Sequence, residues 1–245
     1  MQEPGMRVIV TRPENSGRRT ALRLEELGHQ PVILPLSSPS HDPPAALRAL
    51  ARPHSSIAVT SAEAIRCLAK LGPALAPHLS TPVYTVGRMT AAAARDIGFD
   101  TVTPSLGGGA ELAELIADAQ AGEIAEAPIL YLAGTPRAPI FENRLEALGR
   151  KVVTAECYHM LTVDHEASLL HRLLVDVPVD AVLFYSRENV ERFFYLPVVI
   201  DDHFPLKDTR FLCLSGNVSE AIPADIRHNA RIAATPDEDA LLALL

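Results

Sequence analysis

The sequence predicts an α/β protein of two similar doubly wound domains, each a parallel sheet with helices on both faces. Two observations carry this. Short apolar runs rich in β-branched residues alternate with segments of helical period along all 245 residues, the pattern of a parallel sheet covered on both sides. The chain is also written twice. Arg23-Leu24-Glu25-Glu26-Leu27-Gly28 returns as Arg144-Leu145-Glu146-Ala147-Leu148-Gly149. A repeat of about half the chain exceeds the roughly 20–50 residues of a solenoid unit. It implies two domains and a cleft between them.

The elements follow in order. Val8-Ile9-Val10 marks a strand at 7–11, and the spacing of Ala21, Leu24 and Leu27 marks a helix over 15–28. Val32-Ile33-Leu34 closes this β-α-β opening with a strand at 31–35. A helix is expected at 43–51, then a strand at 56–60 (Ile57-Ala58-Val59) and a helix at 61–71. A strand at 82–86, a helix at 88–97, a strand at 100–103 and a helix at 109–119 complete the first copy. The second copy opens with Ile129-Leu130-Tyr131-Leu132 in a strand at 128–133, a helix at 137–148 and a strand at 151–158. Helices at 165–174, 186–195, 215–224 and 236–244 then alternate with strands at 180–185, 209–214 and 230–234. The copies correspond late as well as early. Ile57-Ala58-Val59-Thr60-Ser61 answers Val182-Leu183-Phe184-Tyr185-Ser186, and Val83-Tyr84-Thr85-Val86-Gly87 answers Phe211-Leu212-Cys213-Leu214-Ser215.

Pro35, Pro39, Pro43 and Pro44 interrupt the chain, so 35–44 reads as a linker. Its counterpart lies near 155–164. Two arrangements fit. A plain tandem would break near residue 125. Alternatively, each opening β-α-β feeds the other copy's remainder. Domain one is then 1–35 with 160–245, domain two is 36–158, and the linkers fall near 33–40 and 155–162. Periodicity alone is compatible with both.

Bulk composition narrows the function. A hydrophobic share of 48% is that of a packed globular chain, and with no Trp the cores rest on Leu, Val, Ile and Ala. A net charge of −8 argues against general binding to nucleic acid or anionic membrane. Cys67, Cys157 and Cys213 form no zinc-type spacing, and Cys157 and Cys213 are expected as buried thiols. His159, His165 and His171 are spaced by six, which does not stack them on one helix face, so no metal site is expected. No leader-like or membrane-spanning run is found, and a cytoplasmic protein is expected.

In doubly wound sheets, ligands bind beyond the carboxyl ends of the strands. Arg12, Arg88, Arg137 and Arg187 each follow a strand and open a helix. A cation at a helix start is disfavoured by roughly a few tenths of a kcal/mol. Repeating that placement in an acidic protein suggests an anionic ligand. Each charge-assisted hydrogen bond is worth about 1.5–3 kcal/mol. Thr60, Ser61, Ser186 and Ser215 sit in strand-to-helix turns, where a hydroxyl is also an ordinary N-cap. Gly87 and Gly134 permit close backbone approach or simply ease a turn. Gly107-Gly108-Gly109 lacks the Lys-Ser/Thr of a P-loop, and no G-x-S-x-G elbow exists. In the crossed arrangement Tyr158 falls near the mouth of the cleft. Its phenol, with an ordinary pKa of about 10, is a proton donor at neutral pH.

These residues, taken in order, resemble the uroporphyrinogen-III synthase family. The resemblance rests on Val10-Thr11-Arg12-Pro13, Leu27-Gly28 with Pro31 and Pro35, Thr60-Ser61-Ala62, Val86-Gly87 with Thr90-Ala91, and Gly98-Phe99. It continues through Tyr131-Leu132, Leu148-Gly149, Tyr158, Phe184-Tyr185-Ser186 and Leu214-Ser215, covering essentially the whole chain. It implies the crossed fold, with a two-stranded linker. It implies a monomeric lyase whose substrate is hydroxymethylbilane, a linear tetrapyrrole bearing many carboxylates. The reaction it implies loses water and closes the macrocycle with inversion of the last ring, without cofactor or metal. Tyr158 matches the family's candidate acid. Arg12, Thr60, Ser61, Gly87, Arg88, Thr90, Gly134, Arg137, Ser186, Arg187 and Ser215 are the expected substrate contacts. Two positions depart from the family pattern. Val218 stands where a hydroxyl is usual, leaving Ser219 or Asn217 to supply the contact. Glu63 stands where a neutral residue is usual, and is expected to point away from an anionic substrate. The competing reading is a non-catalytic two-domain binding or regulatory protein for an anionic metabolite.

Overall fold

The computed structural model describes residues 5–119, 127–200 and 204–245. The chain opens with β1 (Arg7–Val10), α1 (Glu14–Glu26), β2 (Gln30–Ile33), β3 (Ser37–His41) and α2 (Pro43–Leu50). It continues through β4 (Ser56–Val59), α3 (Ala62–Ala69), β5 (Val83–Val86), α4 (Arg88–Asp96), β6 (Val102–Ser105) and α5 (Gly109–Ala119). Then come β7 (Ile129–Thr135), α6 (Ile140–Ala147), β8 (Val152–Thr162), α7 (Ala167–Leu174), β9 (Ala181–Phe184) and α8 (Arg187–Phe194). The last elements are β10 (Arg210–Cys213), α9 (Gly216–Ser219), β11 (Ala230–Ile232) and α10 (Glu238–Leu242).

The strands form two sheets, ordered β11-β10-β9-β1-β2 and β3-β8-β7-β4-β5-β6. Pairing is parallel along β11 to β2 and along β8 to β6. The chain divides into one compact unit of Met1–Ser38 with Leu161–Leu245 and another of Pro39–Met160. Residue 125, where a plain tandem would break, lies outside the described residues. The sheet orders explain the sequence repeat. β1 and β2 occupy in the first unit the places of β7 and β8 in the second. Likewise β9, β10 and β11 correspond to β4, β5 and β6. The same order is reached with the β-α-β opening first in one unit and last in the other.

Both faces of each sheet are covered, so the central strands are continuously apolar. In β1 the side chain of Ile9 enters one core with Phe184, Phe193 and Phe211, while Val8 and Val10 enter another with Leu24, Leu183 and Leu241. In β7, Leu130 and Leu132 face α2 and α3, while Ile129, Tyr131 and Ala133 face α5 and α6. Turn chemistry then sets the strand ends. Ser61 and Ser186 occupy equivalent N-caps and accept from the backbone N–H of Glu63 and Asn189, each at 3.2 Å. Ser186→Ala is expected to lower stability by about 1 kcal/mol, read from the urea midpoint at an unchanged slope.

Several elements differ from the sequence expectation. The proline-rich stretch at 35–44 contains β3, with Pro39 inside it. Proline is tolerated there because β3 is an edge strand, where a missing N–H costs no ladder bond. Pro104 in the opposite edge strand, β6, obeys the same rule. The expected helix at 215–224 shrinks to the single turn of α9, because Pro223 has no N–H and excludes helical backbone at Ile222. Pro136 and Pro139 delay α6 to Ile140. A 3-10 segment at Gly72–His78, opened by Pro73, fills a stretch with no expected element.

Candidate active site

In the first unit, the carboxyl ends of β1, β9 and β10 deliver Arg12, Ser186, Arg187 and Ser215 to one edge. Buried Thr11 donates to the carbonyl of Leu183 at 2.8 Å, and the Asn189 amide donates to the carbonyl of Thr11 at 3.3 Å. These bonds lock the end of β1 to the start of α8. The Arg12 guanidinium lies 4.1 Å from the centre of the Tyr185 ring and donates to Glu238 Oε1 at 2.7 Å. Glu238 also accepts from the hydroxyls of Thr20 (2.6 Å) and Tyr185 (2.7 Å), and from Arg23 at 3.2 Å. Burial pushes the Glu238 carboxyl up. The hydrogen bonds from Thr20 and Tyr185 and the charges of Arg12 and Arg23 outweigh it, so the carboxyl titrates below its ordinary value. Burial, reinforced by Glu238, drives the Tyr185 phenol the other way, far up.

Arg12 is therefore engaged in a half-buried network. Arg187 is different: its side chain is 49% exposed and, among the described residues, meets only Glu191, one turn on, at 3.0 Å. Ser186 is spent as a cap but exposed, and Ser215 precedes α9 without a side-chain cap bond. Ser219 is buried and donates to the carbonyl of Gly216 at 2.9 Å. Asn217 remains exposed on that turn.

In the second unit, the ends of β4, β5 and β7 carry most of the remaining residues; Tyr158, expected to end its strand, lies inside β8, which continues to Thr162. Thr60 Oγ1 lies 2.8 Å from the hydroxyl of Tyr131. Ser61 caps α3, and its side chain also lowers the pKa of the Tyr158 phenol. Gly87 takes φ +75° before α4, a left-handed conformation that favours glycine. It turns the chain so that Arg88 opens the helix in solvent, with no ion pair among the described residues, while Thr90 is buried beneath it. Arg137 donates to Glu142 and Glu156, each at 2.8 Å, and to the carbonyl of Gly134 at 3.2 Å. The bond to Glu142, and secondarily that to Glu156, holds the guanidinium above its ordinary pKa. Gly134 itself is buried and pairs across the ladder with Tyr158.

Tyr158 is only 8% exposed. Burial pushes its phenol up to about 12; the Ser61 side chain opposes this, and Tyr131, Cys157 and Glu63 add to it. Glu63 is held by Arg66 and by His41, whose Nε2 is 3.0 Å from Oε2. The His41 ring centre is 6.4 Å from that of Tyr158. Glu63 is thus turned into its own unit's side chains, yet stays near enough to favour the neutral phenol.

The structure adds partners that sequence reading did not single out: Glu238 and Tyr185 for Arg12, Glu142 and Glu156 for Arg137, and His41 for Glu63. Glu238 sits in the acidic run Asp237-Glu238-Asp239, which looks like ordinary helix-start charge. Only its distant partners reveal its position. All three cysteines are buried thiols. Among the described residues, no group of three His, Cys, Asp or Glu side chains is placed to hold a metal. His165 and His171 instead bond the carbonyl of Pro35 and Asp176. A surface cavity of about 430 Å³ in the first unit is lined by Thr162–His165 and one face of α8, and includes none of the predicted site residues.

A family model described as uroporphyrinogen-III synthase HemD matches residues 18–243. Among solved structures, the chain is similar to the uroporphyrinogen-III synthetase of Helicobacter pylori, with a TM-score of 0.65 and 17% identity over 98% of this chain and 97% of that one. It is also similar to a mutant uroporphyrinogen III synthase of the extremely thermophilic bacterium Thermus thermophilus, with a TM-score of 0.55 and 18% identity over 98% and 96%. No curated protein sequence matches it.

Proposed function

The chain belongs to the uroporphyrinogen-III synthase family, and from that premise we propose that Tyr158 is the acid of the reaction and that arginines at the strand ends hold the substrate's carboxylates. The protein is a lyase of tetrapyrrole biosynthesis. It cyclises hydroxymethylbilane to uroporphyrinogen III, with loss of water and inversion of the last ring.

Hydroxide is a poor leaving group, so the hydroxymethyl oxygen must gain a proton as its bond to carbon breaks. The observation that carries Tyr158 into this role is its phenol, buried within β8 opposite Gly134 and pushed up to about 12. Such a group is fully protonated at neutral pH and is too weak an acid to ionise first. Proton transfer therefore accompanies C–O cleavage, with the pyrrole nitrogen's electron pair supplying the push. The azafulvene cation is attacked by the substituted carbon of the last ring, and the resulting spiro intermediate fragments and recloses. Restoring the aromatic ring releases a proton. The Tyr158 phenolate, strongly basic for the same reason that its phenol is weakly acidic, takes it back. Acid and base are then one side chain, and the proton balance closes. The remaining task is to hold the flexible chain so that direct closure loses, which is a matter of positioning.

Arg88 and Arg187 are best suited to grip carboxylates. Arg88 is exposed, and Arg187 surrenders only an exposed helix pair, worth about 0.3–0.5 kcal/mol, to bind a substrate group. Ser186, Ser215, Gly87 and Thr60 lie at the same edges, with Arg12 and Arg137 there as network members and Thr90 buried beneath Arg88. Arg88→Ala and Arg187→Ala are each expected to raise KM roughly 10- to 150-fold, the equivalent of one charge-assisted bond, with kcat nearly kept. Steady-state rates of type III formation check this; unchanged KM in both variants removes the arginine edge from substrate binding. We further propose a cytoplasmic monomer without nucleic-acid or membrane partners, a reading supported by the net charge of −8. No helix among the described residues is long and apolar enough to cross a membrane.

A further inference from the structure

We infer that a one-residue bulge in β8, seated on Gly134, is the device that turns Tyr158 onto the Ser61 face of its sheet; the functional consequence rests on the reading of Tyr158 as the acid. The register shows the insertion. Ala133 pairs with Glu156, but Gly134 pairs with Tyr158, so Cys157 is the extra residue. In a regular strand, successive side chains alternate between faces. Val152 of β8 packs with Leu112, Phe141 and Leu145, the side covered by α5 and α6. By strict alternation Glu156 and Tyr158 belong on that side too. Instead Ala155, Cys157, Tyr158 and Met160 all pack in the core that includes Ala64, Ile65 and Leu68 of α3. The bulge has moved everything from Tyr158 onward to the opposite face. That is the face whose helix starts at Ser61. Re-aiming one side chain is what bulges do.

Two further features fix the bulge. The carbonyl of Cys157 accepts from the backbone N–H of Asp42 at 2.7 Å and from the thiol of Cys67 at 3.1 Å. Asp42 is the N-cap of α2 and Cys67 lies in α3, so both helices hold the extra residue in place. This gives Cys67 a role that its burial alone does not. Gly134 provides the seat. A Cβ built there would lie 2.2 Å from Cζ, 2.3 Å from Cε2 and 2.6 Å from the hydroxyl oxygen of Tyr158. The ring rests directly on the glycine backbone, and any side chain at 134 would displace it. Gly134 is thus a positioning residue acting through Tyr158, rather than an open stretch of backbone for ligand.

The test combines kinetics with a spectroscopic readout of the ring. Gly134→Ala is expected to lower kcat for type III formation by up to about 100-fold with KM nearly unchanged, and to cause no further loss when added to Tyr158→Phe. A raised KM, or an equal loss in the Phe background, overturns the positioning role. In protein labelled with 13C at tyrosine Cζ, the Tyr158 resonance (identified by its absence from Tyr158→Phe) should move in Gly134→Ala more than those of the other tyrosines. An unmoved resonance overturns the seat. If Gly134→Ala fails to fold, Cys67→Ala serves in its place. It should shift the same resonance and lower kcat only when Tyr158 is present, and wild-type behaviour in both respects overturns the proposal. Full activity in Tyr158→Phe would instead sink the acid assignment, leaving the resonance to decide the geometry on its own.

Discussion

Tyr158→Phe is expected to lower kcat by about 10²–10⁴-fold, the usual worth of a positioned acid or base, while KM and the fold change little. The ring stays on Gly134 and in its core, so only the hydroxyl is lost. The pH behaviour follows from the direction of the shift. Because the folded phenol is raised to about 12 from 10, the folded state favours the protonated form. The stability linked to it is complete below pH 10 and is lost as pH rises through 12. The variant should therefore lose less stability in that window than the wild type. The same shift keeps the acid charged with its proton throughout the neutral range, so no basic limb of kcat below about pH 10 belongs to Tyr158. Rates of type III formation across pH, set beside denaturation midpoints, separate the two effects. A variant with wild-type kcat would show that no acid is needed at this position.

Glu238→Ala is expected to be the most damaging change to stability, at about 2–3 kcal/mol. It strands the guanidinium of Arg12 over Tyr185, half of the Arg23 contact, and the hydroxyls of Thr20 and Tyr185. For a protein of this size the midpoint temperature should fall by roughly 4–12 °C. Arg18→Ala, which removes an exposed helix pair with Glu14, is the control, and should change stability by less than about 0.5 kcal/mol. The sign with pH is opposite to that of Tyr158. Hydrogen bonds and charges outweigh burial and depress the Glu238 carboxyl below 4.5. Its stabilisation is present above pH 4.5 and disappears as pH falls through the lower folded value. The wild type should lose stability in that acid window, and Glu238→Ala should lose less. Equal acid sensitivity in the two proteins would show that the network contributes nothing.

What the sequence made legible is what short-range chemistry writes into it. Apolar runs such as Val8-Ile9-Val10 and Val182-Leu183-Phe184 located central strands because both of their faces are buried. The Ser61 and Ser186 turns were readable because a cap is satisfied within three residues of itself. The repeat anticipated two similar parallel-sheet domains. β3 stayed hidden because Pro39 signals a break everywhere except on a sheet edge. The strand-end arginines were readable in place but not in company. Glu238 is distant in sequence from Arg12, and nothing local marks their pairing. The bulge at Cys157 left a faint trace, two apolar residues in succession inside a strand. Its consequence for Tyr158 depends on which helices cover which face, and that is settled only by tertiary structure.

The most direct measurement is an isomer assay. Fresh hydroxymethylbilane is incubated with the purified protein and no added cofactor, the products are oxidised, and type I and type III porphyrins are separated. Type III formed in excess of the spontaneous type I product is the predicted result, since it reports ring closure and inversion together. Type I alone, from protein shown to be folded, would contradict the synthase and leave its strand-end arginines to an anion-binding protein without catalysis.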